Sequence, residues 1–468
     1  MRITLAGLLI ASFVIGLASP LQAKDDAKKS LRPNIVYILL DDAGYGDLSC
    51  YGQSHFETPN IDRLAREGMK FTQHYAGCTV CAPTRCVLMT GQHTGHCYIR
   101  GNKEVRPEGQ AAIPDETVTL GELMQQADYA TGGFGKWGLG APGSEGDPVN
   151  QGFDEFFGYN CQREAHTYYP DHLWHNTEKV MLDGKTYSHD LIMKHALDFV
   201  RNHQDKPFFC YLPVTIPHAA MHVPDSYADP FRKKFSQFND KIGRYRGPEV
   251  MNPIAAFAGM MTKLDEDVGR LLDLLAELDI DDNTIVMLTS DNGPHVEGGH
   301  DPKFFDSNGP LRGFKRDLYE GGIRAPFLVR WPGRVPEGST SDLLSAHWDI
   351  LPTCCELAGV EPPKDIDGIS LVPTLLGHAS EQTPHKYLYW EFHERGGKRA
   401  VRFGNWKAVQ LELNKKKNPP IELYDLSKDI GESNNIADSH PQIVHEAKTM
   451  FEQAHTPSKI WPFPFDKK

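Results

Sequence analysis

Apolar residues run almost without interruption at three places: Ile35-Val36-Tyr37-Ile38-Leu39-Leu40, Phe208-Phe209-Cys210-Tyr211-Leu212 and Thr284-Ile285-Val286-Met287-Leu288-Thr289. Short runs that are apolar on both faces belong in the middle of a parallel sheet. Ahead of the third run, Met260, Leu264, Val268, Leu271, Leu272 and Leu275 recur at spacings of three and four, which predicts a helix. That reading leaves Asp265, Glu266 and Arg270 on its solvent face. From Pro33 onward β-rich runs alternate with helical stretches, so the fold class expected is α/β, a large, mostly parallel central sheet flanked by helices. The polar, basic and aromatic segment 223–252 reads as a long surface loop. Residues 377–384 have linker composition. After them, Tyr387–Trp390, Ala400–Phe403, Trp406–Val409 and Glu422–Tyr424 predict a smaller antiparallel sheet, closed by a helix over 442–455. The boundaries that follow are a main domain at 33–378 and a small C-terminal α+β subdomain at 385–468, with no internal repeat.

The first residues follow another rule. Met1-Arg2-Ile3-Thr4 precedes an apolar stretch from Leu5 to Leu17, then Ser19-Pro20 and Ala23 ahead of Lys24-Asp25-Asp26. This is the layout of a secretory signal peptide at 1–23 with a polar leader at 24–32. The apolar run is too short to span a bilayer comfortably. An exported protein, periplasmic or secreted and without stable membrane insertion, is expected. With 40% hydrophobic and 10% aromatic residues the chain can bury a full core. A net charge of −13 argues against a nucleic-acid or anionic-membrane partner, though a local anion pocket remains compatible with it. Nine cysteines, an odd number, leave at least one unpaired in an exported protein.

Ligands in an open parallel sheet bind at the carboxyl ends of the strands. Two of the apolar runs end in Asp41-Asp42 and Asp291-Asn292. Either pair alone is a common strand-ending turn. Together they offer three carboxylates and an amide oxygen, a hard donor set suited to Ca²⁺, with Mg²⁺ second, and poorly suited to zinc or copper. In Cys78-Thr79-Val80-Cys81-Ala82-Pro83-Thr84-Arg85-Cys86 the proline suits a first helical turn, and Gly91 can end the helix. Cys81 then sits at the helix mouth, where free N–H groups favour an anion, and Arg85 lies one turn further on. Cys78, Cys81 and Cys86 form an alternative metal or iron–sulfur set, but no fourth ligand lies at a recognised spacing.

Cys81-x-Pro83-x-Arg85 followed by Leu88-x-Thr90-Gly91 resembles the signature of the type I sulfatases, in which the cysteine is converted to formylglycine. Asp41-Asp42-x-Gly44-Tyr45-Gly46-Asp47, Thr58–Ala65, Gly135-Lys136-Trp137, Pro217-His218, Asp291-Asn292-Gly293 and Leu311-Arg312-Gly313-x-Lys315 look like further stations of that family in order, and Tyr424-Asp425-Leu426 with Glu432 and Asn434-Asn435 resembles its C-terminal stretch. The resemblance implies an alkaline-phosphatase-like fold, a maturation enzyme that makes formylglycine, and hydrolysis of sulfate esters. A hydrated aldehyde carries two hydroxyls: one attacks sulfur, and the other lets sulfate leave as the aldehyde re-forms. By the same resemblance Asp41, Asp42, Asp291, Asn292 and modified Cys81 bind Ca²⁺. Arg85 stabilises the hydrate, Lys136 and Lys315 clamp sulfate oxygens, and His218 donates a proton to the departing oxygen or helps hold the sulfate. Two positions depart from the pattern. Thr84 stands where Ser is usual and keeps the hydroxyl. Gly138 stands where the family has a histidine that contacts the hydrate, and His166 is the candidate to fill that space.

The segment Gln162–Trp174 mixes aromatic and polar side chains as carbohydrate pockets do, although Trp174 itself reads as packed on the domain. His295, His300 and Asp301 follow the second acidic pair and are candidate contacts to the alcohol part of a substrate. This region is similar to bacterial sulfatases acting on galactose or N-acetylgalactosamine sulfates, so a sulfated carbohydrate is the expected substrate. Two alternatives stay open: a phosphomonoester or phosphonate hydrolase on the same scaffold, and a catalytically impaired sulfated-glycan binding protein.

Overall fold

The computed structural model describes residues 32–466. The signal peptide and all but the last residue of the leader lie outside the described residues. Fourteen strands make the two principal sheets: β1 (Asn34–Leu40), β2 (Met69–Phe71), β3 (Ala130–Lys136), β4 (Glu155–Tyr159), β5 (His172–His175), β6 (Glu178–Met181), β7 (Phe208–Pro213), β8 (Thr284–Ser290), β9 (Phe327–Arg330), β10 (Ser339–Ser341), β11 (Leu388–Phe392), β12 (Lys398–Phe403), β13 (Trp406–Leu411) and β14 (Ile421–Asp425). The first ten form one sheet in the order β10-β2-β9-β8-β1-β7-β3-β4-β5-β6.

The three apolar runs, β1, β7 and β8, lie adjacent at its centre, and every residue in them is buried. The five central strands β8-β1-β7-β3-β4 are parallel. Beyond them the pairing turns antiparallel at β9 and at β5–β6, so the sheet is mixed rather than mostly parallel throughout. Those edge strands are short and partly polar, too weak a pattern to orient from sequence. Apolar residues on the two faces of β1 separate into two cores, Ile35, Tyr37 and Leu39 in one and Val36, Ile38 and Leu40 in the other. This is the period-two alternation of a strand covered on both sides.

The helix expected before β8 spans Pro253–Glu277. Glu266 and Arg270 face solvent as read, but Asp265 is buried. Its carboxylate accepts from the N–H groups of Asn60 and Ile61, so it caps the start of the helix Pro59–Arg66. The segment 223–252 is also more regular than a loop: it holds a helix at Asp225–Lys234 and a small hairpin pairing Ile242–Gly243 with Val250–Met251.

Strands β11–β14 form the antiparallel C-terminal sheet, and the helix Pro441–Gln453 closes it. Its two faces have different partners. Leu388, Trp390, Ala400 and Val409 join the core of the large sheet, while Tyr389, Val401, Ala408 and Leu423 pack on Ala447 and Phe451 of the closing helix. Among the described residues no helix is long and apolar enough to cross a membrane.

Candidate active site

β1 and β8 pair in parallel register from Asn34↔Thr284 to Leu40↔Ser290. Their next residues, Asp41-Asp42 and Asp291-Asn292, therefore leave the sheet side by side. The Asp42 N–H donates to Asp291 Oδ1 at 3.0 Å, and Asn292 Nδ2 donates to Asp42 Oδ1 at 2.7 Å. Asp42 takes a left-handed backbone (φ 69°), which aspartate tolerates better than most residues and which turns its side chain back over the strand ends.

Cys81 meets this cluster as the first residue of helix α1 (Cys81–Thr90), which ends at Gly91 in the left-handed conformation. Its Sγ lies 3.4 Å from Asp41 Oδ1 and 3.3 Å from Lys136 Nζ. Burial, reinforced by Asp41, pushes the thiol pKa up, so an unmodified Cys81 is a poor nucleophile at neutral pH. Thr84, the position that departs from the signature, bonds the backbone of Cys78 through its hydroxyl and steadies the turn. Cys78 and Cys86 take no part in the donor cluster around Cys81.

Three cations close the cluster. Lys136, at the carboxyl end of β3, places Nζ 2.6 Å from Asp41 Oδ2. Lys315 Nζ is 2.8 Å from Asp42 Oδ2. Arg85 donates to the Lys136 carbonyl at 2.5 Å and to Asp291 Oδ2 at 3.2 Å. Burial works against charge on all of them, but the facing carboxylates outweigh it, and the pKa values of Lys136 and Lys315 are raised. Burial likewise opposes charge on Asp41 and Asp42, yet Lys136 and Lys315 respectively hold both below the usual carboxylate range. Asp291 behaves differently. Burial and then repulsion from Asp41 push it up to about 7.

The buried acidic cluster can hold a metal ion. Asp41, Asp42, Cys81 and His218 bring one potential ligand atom each to within 4.8 Å of one another. Asn292 Oδ1 is buried with no hydrogen-bond partner, and a buried acceptor left so is costly unless something absent here binds it. The raised pKa of Asp291 points the same way, since burial and repulsion from Asp41 outweigh the Arg85 and Lys136 charges and leave room for a further cation.

Beside the cluster opens a cavity of about 370 Å³, within the usual small-ligand range of about 300–1,000 Å³. Larger clefts of the molecule, such as one of about 640 Å³ against the C-terminal sheet, are not lined by this donor set. Cys81, His166, His218 and Lys315 line the cavity. His218 donates from Nδ1 to the Ala219 carbonyl, which leaves Nε2 facing Asp42 Oδ2 at 3.4 Å. Burial and the Lys315 charge pull its pKa down to about 4. His166 stacks on it, ring centroids 4.9 Å apart and planes 4° apart. His295 stacks on its other side at 5.7 Å. His300 lies one ring further in, packed face to face on Phe257 at 3.9 Å. Asp301 accepts from the Phe304 N–H and caps a turn.

The space beside Gly138 is taken by Gln162, not by His166: a Cβ on Gly138 would lie 2.5 Å from Gln162 Nε2 and 2.7 Å from its Cγ. Gln162 also lines the cavity. Sequence reasoning missed Asn102, Glu104, Tyr245 and Arg316 on the cavity wall. For Tyr245 a signal existed, an aromatic residue flanked by arginines at 244 and 246, but the segment read as plain surface. The residue is 42% exposed, and its ring meets His166 edge-on at 5.1 Å.

Comparison with known proteins follows this geometry. A family profile described as Sulfatase matches residues 33–360, and one described as N-sulphoglucosamine sulphohydrolase, C-terminal, matches residues 312–456. The chain is 34% identical to the N-acetylgalactosamine-6-sulfatase of Canis lupus familiaris over 404 residues, 80% of this chain and 71% of that protein. It is 29% identical to the N-acetylgalactosamine-6-O-sulfatase of Bacteroides thetaiotaomicron over 516 aligned positions, 92% of this chain and 95% of that one. A crystal structure of Ps i-CgsB in complex with k-i-k-neocarrahexaose superposes with a TM-score of 0.77 at 27% identity, covering 90% of this chain and 92% of the other.

Proposed function

The chain belongs to the sulfatase family and is a sulfuric ester hydrolase, and from that premise we propose that it removes sulfate from a galactose- or N-acetylgalactosamine-type sugar, using formylglycine made from Cys81 beside a bound Ca²⁺. The observation that carries this reading is the meeting of two acid-tipped strands with the first turn of α1, so that Cys81 faces Asp41, Lys136 and the cavity at once. The thiol sulfur occupies the place of the oxygens that a modified residue 81 presents. Formylglycine would supply a geminal pair of hydroxyls for attack on sulfur and for release of sulfate, and Asp41, Asp42, Asp291 and Asn292 would hold a Ca²⁺ that would neutralise charge.

The chain's own residues supply the rest. Arg85, charged at any working pH, is fixed by the Lys136 carbonyl and Asp291, so it holds residue 81 in orientation. Lys136 and Lys315 are preorganised donors for the sulfate oxygens, held by carboxylates that do not move as charge develops. His218 rests as a neutral ring with Nε2 turned into the site. An anionic head group beside it raises its proton affinity, so the ring gains a proton as the ester binds and passes it to the departing alcohol oxygen. Tyr245 and His166 offer apolar ring surface at the mouth, and Gln162 and Glu104 offer groups that read hydroxyls. The names of the relatives, which concern N-acetylgalactosamine 6-sulfate, support a sugar sulfate of that class.

The test is sulfate release from a panel of defined sulfated saccharides by protein co-expressed with a formylglycine-generating enzyme and checked by mass at residue 81. Release from galactose or N-acetylgalactosamine sulfates ahead of glucosamine sulfates and aryl phosphates is expected. A clear preference for aryl phosphate would overturn the reading.

A further inference from the structure

On the edge of the large sheet away from the cavity, three side chains from three elements turn toward one point. Glu155 begins β4. His175 ends β5, in register opposite Phe157. His195 lies on helix α2 (Ser188–Asn202). Glu155 Oε1 is 3.7 Å from His175 Nε2 and 3.5 Å from His195 Nδ1, and the three potential ligand atoms all lie within 4.8 Å of one another. Neither contact is a hydrogen bond, which would bring N and O to about 2.7–3.2 Å. At 3.5 and 3.7 Å the two separations lie near the edge of a tetrahedron, for which metal bonds of about 2.0–2.1 Å put neighbouring ligand atoms about 3.3–3.5 Å apart.

The rings are held for that task. Phe157 stacks on His195 at 3.7 Å with planes 8° apart and meets His175 edge-on at 6.0 Å, so apolar packing fixes both imidazoles. Side-chain exposures of 44% for His175, 27% for Glu155 and 28% for His195 leave one side of the group open to solvent. Two imidazoles and one carboxylate suit a borderline ion such as Zn²⁺ and suit Ca²⁺ poorly.

Another cluster in the molecule shows the contrast. His96 Nδ1 bonds Asp367 directly at 2.9 Å, and His93 Nδ1 accepts the Gly95 N–H, so the neutral ring carries its proton on the Nε2 that faces Asp367. That set is closed by its own hydrogen bonds. We propose that Glu155, His175 and His195 form a second metal site, which binds one Zn²⁺ and ties β4, β5 and α2 together. Glu155 stands four residues along β4 from Tyr159, which pairs with Lys136, so this site lies about 13 Å from the catalytic level of the sheet and acts on stability rather than on the reaction.

The test uses the whole matured protein in saturating Ca²⁺, titrated with Zn²⁺ by calorimetry and by thermal unfolding, with Co²⁺ absorption as a check of coordination. One tight Zn²⁺ per chain, a rise in Tm and a tetrahedral Co²⁺ spectrum are expected. His195→Gln and Glu155→Gln should each weaken Zn²⁺ binding roughly tenfold or more and remove the Tm rise, with far-UV circular dichroism and zinc-free sulfatase activity unchanged. His96→Gln should leave binding intact. Stoichiometric Zn²⁺ uptake that survives in both His195→Gln and Glu155→Gln, uptake lost in His96→Gln, or no uptake by the parent protein would overturn the proposal.

Discussion

Two of the places where this molecule buries carboxylates satisfy them in different ways. Glu391 on β11 has no exposed surface, and four side-chain donors converge on it: Arg100 at 2.8 Å and His393 at 2.9 Å on Oε1, Tyr389 at 2.9 Å and His455 at 2.8 Å on Oε2. Burial opposes its charge, but the histidines and Arg100 outweigh that and hold its pKa far down. Nothing is left for a ligand to do. Around Asp41, Asp42 and Asp291 the cations are matched in number, yet Asp291 is driven toward protonation and Asn292 Oδ1 is left without a partner. Buried charge alone therefore does not mark an active site. What sets the Asp41, Asp42 and Asp291 cluster apart is that its unsatisfied remainder lies beside Cys81 and the cavity, where a ligand can resolve it.

The largest effect expected is on chemistry. Cys81→Ala should lower sulfate release by on the order of 10⁴-fold or more while Tm stays within a degree or two, measured on protein matured in parallel. Loss of folding instead would make residue 81 a packing residue and erase the contrast. Glu391→Gln should do the reverse. It leaves Arg100 and the histidines short of a counter-charge and should cost about 3–5 kcal/mol in denaturant unfolding, with kcat changed little in the protein that remains folded.

Asp291→Asn sharpens the comparison further. An acid whose folded pKa is raised penalises the fold once pH exceeds its unfolded value, so the penalty is largest above about pH 7. In chelator at pH 8 the variant should be more stable than the parent by on the order of 2 kcal/mol, while Ca²⁺ no longer restores activity to it. A destabilised variant would mean that the Arg85 contact outweighs the repulsion. The smallest effect concerns His455, whose two ring nitrogens face Glu391 and Asp466. Burial lowers its proton affinity, but the carboxylates more than offset this and its pKa is raised. Its contribution is thus fully present below the unfolded histidine value of about 6.5 and fades as pH rises through the folded value. His455→Gln should cost about 1 kcal/mol at pH 6 and less at pH 9, partial solvent access keeping the figure small.

The centre of the fold was legible because β1, β7 and β8 are buried on both faces, and such strands leave an uninterrupted apolar signal. Their acidic ends were legible for the same reason, since parallel strands deliver their next residues to one place. The edges were not. β5, β6, β9 and β10 are short, and β9 and β10 both take β2, far back in the chain, as a partner. Asp265 looked like surface charge because the N–H groups it caps belong to Asn60 and Ile61, far off in sequence. Tyr245 and Glu104 reach the cavity wall from segments with no strong periodicity, so only tertiary structure brings them there.

Gly138 and Gln162 carry a consequence for how this chain can change. At φ 86° position 138 resists any side chain, and the amide of Gln162 already fills the volume in front of it. A histidine placed there by one substitution would meet both strain and collision. The two positions are epistatic: the route to it passes through a clash unless residue 162 shrinks first and the backbone relaxes. In this chain the volume in front of position 138 thus belongs to an amide, which neither gives nor takes a proton at working pH.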